Sequence, residues 1–228
     1  MANTLDNVLV EHHKLGVIKF KEFLNIEPKK LSKKEYTLQK VMARLYHLNE
    51  RIPPLFYTFP ERPNKPLVIK ADTINRCSSN NIGALYDSDD NYIQFENTGS
   101  GDNYLLNELA HELKHAEQYS EERRNLFKEK NGLICHQIDY LDEAQAYAFG
   151  DYVVALDCLE KKCSADEYIE HACSPYLIPY YKKALKEGKL DREQFEQNGI
   201  LTTLHVLYSS SFDLHYRAKF DERNIINV

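Results

Sequence analysis

The chain has 228 residues, 43% of them hydrophobic and 28% charged, which is the balance of a soluble globular protein large enough to bury a core. Its net charge of −6, without a Lys/Arg patch interleaved with aromatics, argues against a nucleic-acid partner, and no apolar run reaches membrane-spanning length. The five cysteines include no C-x-x-C pair and read as reduced thiols, and the opening Met-Ala-Asn-Thr-Leu-Asp has no signal-peptide pattern. The expected location is therefore the cytoplasm, or outside it after export without a cleaved signal.

In chain order, residues 1 to 51 read as two helices. The first carries Leu5, Val8, Leu9, Ile18, Phe20 and Phe23. The second opens on the capping box Ser32-Lys33-Lys34-Glu35 and carries Leu38, Val41, Met42, Leu45 and Leu48 at helical spacing. Prolines between Pro53 and Pro66 make a rigid connector, so residues 1–66 are expected to form a helical segment plus linker, and residues 67–228 the main domain. Three β-type runs follow, Leu67 to Ala71, Ile82 to Tyr86 and Asn91 to Glu96. The last two flank the turn Asp87-Ser88-Asp89-Asp90 and form a hairpin.

Past Ser100-Gly101-Asp102-Asn103, with Asp102 or Asn103 as the expected N-cap, comes the segment that carries chemistry. Leu105, Leu106, Leu109, Ala110 and Leu113 recur at three- and four-residue steps, which predicts a helix with one buried stripe. On that helix His111-Glu112-Leu113-Lys114-His115 places two imidazoles one turn apart, with a carboxylate beside them. This is the H-E-x-x-H spacing with which zinc hydrolases hold a Zn2+ ion and position a general base. Lys114 departs from the usual uncharged residue, but its side chain is expected to leave the histidine face.

A catalytic zinc takes three protein ligands and keeps a fourth position open. Its third ligand must come from the next element that packs across this helix. Glu143 is favoured, because Ala144, Ala146, Ala148 and Gly150 leave room for a close helix approach. It requires the first helix to stop near Ser120, and the second helix to run from about Ile138 to Glu160. Asp151 is the rival, followed by Asp142, Asp139 and His136. Later signals are a capping box at Ser164-Ala165-Asp166-Glu167, a structural His171 and a short helix after Asp191. Helices, a small antiparallel sheet, then more helices define an α+β class.

His111-Glu112-x-x-His115 followed by Glu143-Ala144-x-Ala146 resembles the glutamate-zinc peptidases, or gluzincins, and among them the small metallopeptidase domains of bacterial proteins. The resemblance spans residues 67 to 160. It implies a zincin-like fold and zinc on His111, His115 and Glu143. It also implies Glu112 as general base, and a sheet edge strand along the substrate, here Asn91 to Glu96. Glu121 stands where a metzincin would have its third histidine. An oxyanion donor is expected among Tyr147, His205, His215 and Tyr216. The reading is thus a zinc-dependent peptidase acting on a peptide or protein. The first alternative is a zincin-fold interaction protein without turnover, including an effector delivered into another cell. A di-iron carboxylate site is disfavoured, since both E-x-x-H copies (Glu108 to His111, Glu112 to His115) fall on one helix.

Overall fold

A computed structural model describes residues 4–51, 59, 62, 64–70, 84–95, 101–119, 133–161 and 186–188. The chain divides into two compact units, residues 1–124 and 125–228. Among the described residues, the first holds five strands and three α-helices, and the second holds one long helix.

The first unit opens differently from the helix expected there. After a 3-10 turn at Thr4–Asn7, strands β1 (Leu9–His12) and β2 (Gly16–Lys19) form an antiparallel hairpin. Val8, Val10 and His12 are buried while Glu11 is exposed, a period of two that a helix cannot produce. The reversal is made locally. Gly16 sits at φ +72°, which glycine adopts without steric penalty, and the Nδ1 of His12 accepts the backbone N–H groups of Lys14 and Leu15, each at 3.1 Å. Helical backbone is confined to the five-residue α1 (Phe20–Leu24), which buries Phe20 and Phe23.

Helix α2 (Lys33–Arg51) forms as its sequence predicts. Ser32 and Glu35 close the capping box reciprocally: Glu35 N–H donates to Ser32 Oγ at 3.2 Å, and Ser32 N–H to Glu35 Oε2 at 2.7 Å. Leu38, Val41, Met42, Leu45 and Leu48 are buried along one face. Buried Gln39 donates through Nε2 to the carbonyls of Phe23, Leu24 and Ile26, which satisfies the end of α1.

Strands β3 (Val68–Lys70) and β5 (Tyr92–Phe95) lie inside their β-type runs of the sequence, and β4 (Ala84–Asp87) overlaps its run but extends one residue past it, into the expected turn. The sheet order is β2-β1-β3-β5-β4. It is mixed and not antiparallel throughout: β1 runs parallel to β3, and β3 to β5. Parallel neighbours need a long crossover, and the segment containing α2 supplies one between β1 and β3. The strand pattern alone could not reveal this, since a short apolar run does not encode its neighbour's direction. The pairing also joins residues on both sides of the 66/67 boundary in one sheet. The class remains α+β.

The topology reassigns the sheet edge. Asn91 to Glu96 was the expected edge, yet β5 lies between β3 and β4, with Ile93, Gln94 and Phe95 all buried. Among the described residues, the strand at this end of the sheet is β4, with β2 at the other end. Its hairpin with β5 is closed by Asp87 Oδ1, which accepts the N–H groups of Asp89 and Asp90, and by Asn91 at φ 56°. Asn91 then donates to the Lys65 carbonyl at 2.7 Å, which anchors the turn to the preceding segment.

Helix α3 (Asp102–Gln118) packs its apolar face on α2 and β4. Leu105, Leu106, Leu109, Ala110 and Leu113 are fully buried, as their spacing predicts. Its N-cap is Gly101, at φ 93°, rather than Asp102 or Asn103. Those two side chains turn to α2 instead: Lys40 Nζ lies 2.8 Å from Asp102 Oδ2, and Arg44 Nη2 donates to Asn103 Oδ1. In the second unit, helix α4 (Leu133–Lys161) covers the predicted span and starts five residues earlier.

Candidate metal centre

Burial of the leucine stripe of α3 fixes the helix rotation, and that rotation carries His111 and Glu112 inward with it. Both are buried, at 4% and 5% exposure, and His115 one turn later is half-buried. An ordinary surface helix would leave such polar side chains in water. The two imidazoles meet edge to face, with Nε2 of His111 and Nε2 of His115 3.0 Å apart. Two nitrogens on one tetrahedral zinc, each at about 2.05 Å, are separated by roughly 3.3 Å. The observed gap is within a few tenths of an ångström of that value, so a small ring rotation suffices. The donor atoms of His111, Glu112 and His115 all lie within 4.8 Å of one another.

Glu112 is divided between two jobs. Its Oε1 faces the histidines, 3.8 Å from His111 Nε2. Its Oε2 accepts the backbone N–H of Tyr86 at 2.6 Å, which pins the carboxylate to the edge strand. Because that N–H faces away from β5, the outward backbone groups of β4 fall at Tyr86 and, by alternation, at Ala84. The sheet edge therefore runs beside the histidine pair. Lys114 pairs with Glu117 on its own helix, as expected for a side chain directed off the histidine face.

A second group of side chains surrounds the end of α3. Tyr119 is its C-cap, and its N–H donates to the His115 carbonyl at 3.0 Å. Arg62 Nη2 donates to the Tyr119 hydroxyl at 2.9 Å, and its guanidinium carbon lies 4.2 Å from the centre of the Tyr119 ring. Arg62 Nη1 donates to the Ser88 carbonyl at 2.8 Å, in the β4–β5 turn. The Tyr86 hydroxyl donates to Asn91 Oδ1 at 2.8 Å. Burial pushes that hydroxyl up to about 12, against the opposing pull of the nearby Arg62 charge.

Among the described residues one other cluster has the composition of a metal site, His12, His13 and Glu35. Most of its donors are engaged within the protein, while the buried Nε2 of His12 has no hydrogen-bond partner. The Nδ1 of His12 closes the β1–β2 turn. Glu35 accepts the N–H groups of His13 and Ser32, and lies 2.6 Å from His13 Nδ1. Burial of Glu35 raises its carboxyl, but the backbone and side-chain donors of His13 and Ser32 outweigh that and hold it at about 2. The cluster is a clasp between the hairpin and α2.

The structure thus brings together His111, Glu112 and His115. Glu143, expected as third ligand, is half-buried on α4 in the second unit, where Asp151 is buried and Tyr147 half-buried. The helix end that Glu143 requires near Ser120 is present, since α3 stops at Gln118. The side chains of Asp142, Asp139 and His136 lie outside the described residues, as do His171, His205, His215 and Tyr216. Sequence reasoning passed over Arg62, Tyr86 and Tyr119. Tyr119 had a usable signal, because it extends the four-residue stripe from His111 and His115. Comparison with protein-family models, with curated proteins and with solved structures finds no match.

Proposed function

We propose that the chain is a zinc-dependent peptidase whose metal is held by His111 and His115 and whose general base is Glu112, with Glu143 the third ligand that the sequence offers. The observation that carries this reading is the Nε2–Nε2 distance of 3.0 Å between two buried or half-buried imidazoles, with a buried carboxylate beside them. His111 and Glu112 are buried and His115 is half-buried, and each offers one ligand atom to a common point. A divalent zinc fits the donor set and supplies Lewis acidity and an acidified water.

This chain's own residues supply the rest. Glu112 Oε1 accepts the proton of the attacking water as the new C–O bond forms at the scissile carbonyl. The same oxygen returns that proton to the amide nitrogen as the C–N bond breaks, so the products are a carboxylic acid and an amine. The Tyr86 N–H keeps Glu112 aimed by holding its other oxygen. The backbone of β4 at Ala84 and the carbonyl of Tyr86 offer an extended peptide main-chain partners, which align the bond with the base. A helix bearing the histidines beneath a sheet edge is the arrangement of a zincin fold, and supports that assignment. A peptide-library digest with and without a chelator tests the reading. Cleavage that stops on chelation and returns with zinc is expected, and no cleavage by the zinc-loaded chain overturns it.

A further inference from the structure

Arg62 is the unexplained charge near this centre. Its partners are the Ser88 carbonyl, the Tyr119 hydroxyl and ring, and the neighbouring Tyr86 hydroxyl, all of them neutral. Among the described residues it touches no carboxylate, although it is half-buried and the adjacent turn is acidic. Lys65, three residues on, shows the contrast: it pairs with Asp90 at 3.1 Å and with the Asp89 carbonyl. A guanidinium has five N–H donors, and two oxygens at Ser88 and Tyr119 leave part of its fork available. Stacking on Tyr119 fixes its plane, which lowers the entropy lost when it grips a second planar group.

Its place in the fold gives the charge a direction. Tyr119 stands one turn beyond His115 on α3, and Tyr86 joins Glu112 to the edge strand. Arg62 is bonded to and stacked on Tyr119, and its charge acts on the nearby Tyr86 hydroxyl. A peptide lying along β4 would pass this guanidinium within about two residues of the bond over Glu112, at roughly 3.3 Å per residue. From this we infer that Arg62, held by Tyr119 and the Ser88 carbonyl, is a carboxylate-recognition site that selects peptides carrying a negative charge next to the cleaved bond. The inference rests on the peptidase reading for its place on the substrate, but its test reads binding and needs no turnover.

Carboxylate could come from a free C-terminus or from an acidic side chain, and three peptides separate these. Alanine hexapeptides capped at the N-terminus with an uncharged boron-dipyrromethene dye are used, one with a free C-terminus, one with a C-terminal amide, and one amidated with a central glutamate. Fluorescence anisotropy is measured with the zinc-loaded Glu112→Gln chain, which cannot cut them, at low salt. At least one carboxylate-bearing peptide is expected to bind on the order of tenfold tighter than the neutral one, and which one does identifies the source. Arg62→Gln should erase that difference, and Arg62→Lys should retain part of it. Equal binding of all three peptides, or no binding of any, overturns the inference without recourse to a variant. Persistence of the preference in a folded Arg62→Gln chain overturns it too. Turnover by the wild-type chain is scored separately, so a peptidase with no acidic preference and an acid binder with no turnover give different results.

Discussion

In the proposed peptidase, Glu112 separates metal binding from chemistry. Its carboxylate is held by the Tyr86 N–H and faces the histidines through the other oxygen. Replacing it with glutamine preserves size and burial but removes the proton acceptor. We expect Glu112→Gln to bind zinc as the wild type does, and to lose a factor of about 10²–10⁴ in turnover, measured as kcat on a cleaved library peptide. Full activity in that variant would assign the base elsewhere. The residues of this centre differ in how far the sequence discloses them. His111, Glu112 and His115 are legible because a helix converts four-residue spacing into a shared face. Tyr86 acts through its backbone N–H, which every residue but proline has, so its identity carries no signal. Arg62 lies in a proline-rich connector whose path no periodicity fixes.

The elements holding these residues respond to different changes. Leu109 sits fully buried in the stripe that sets the rotation of α3. Leu109→Ala should lower the unfolding free energy by about 2–5 kcal/mol, read from urea denaturation, and loosen the histidine pair with it. Strand β4 offers a finer probe, because proline is tolerated on an edge strand where its missing N–H faces outward. Tyr86→Pro should reduce kcat while zinc content is unchanged, and Tyr86→Ala, which keeps the N–H, should reduce it less. Equal losses would show that the side chain and not the backbone positions Glu112. Helices α2 and α3 could be read from the sequence, since each has an uninterrupted apolar stripe. Residues 9–19 misled because Leu9, Val10 and Ile18 fit either period. Gly16 and the turn-binding ring of His12 decide the matter, and neither is visible in a hydrophobic pattern.

Across the whole chain, stability and metal binding draw on contacts distant in sequence. Glu35 ties the β1–β2 hairpin to α2, and its carboxyl is held at about 2 against an ordinary value of 4.5. A lowered folded pKa means that the contribution is complete above pH 4.5 and is lost as the pH falls toward 2. The shift corresponds to about 3 kcal/mol at neutral pH. Urea midpoints at pH 7 and pH 3 should therefore fall farther for the wild type than for Glu35→Gln, and parallel behaviour would remove Glu35 from the account. Glu143 is the third ligand that the sequence offers, and sequence spacing gives residue separation but no tertiary contact. Glu143→Ala should weaken zinc binding by at least about tenfold in a competition titration with a chromogenic chelator. An unchanged affinity would pass the role to another donor.

Beneath all of these lies the proposed grip of two imidazoles on one ion. Elemental analysis of the intact purified chain, dialysed against trace zinc, reads that grip without assuming a substrate. One zinc per chain in the wild type and none in His111→Ala is the expected result. A metal-free wild type, or a His111→Ala chain that still carries its zinc, would contradict it.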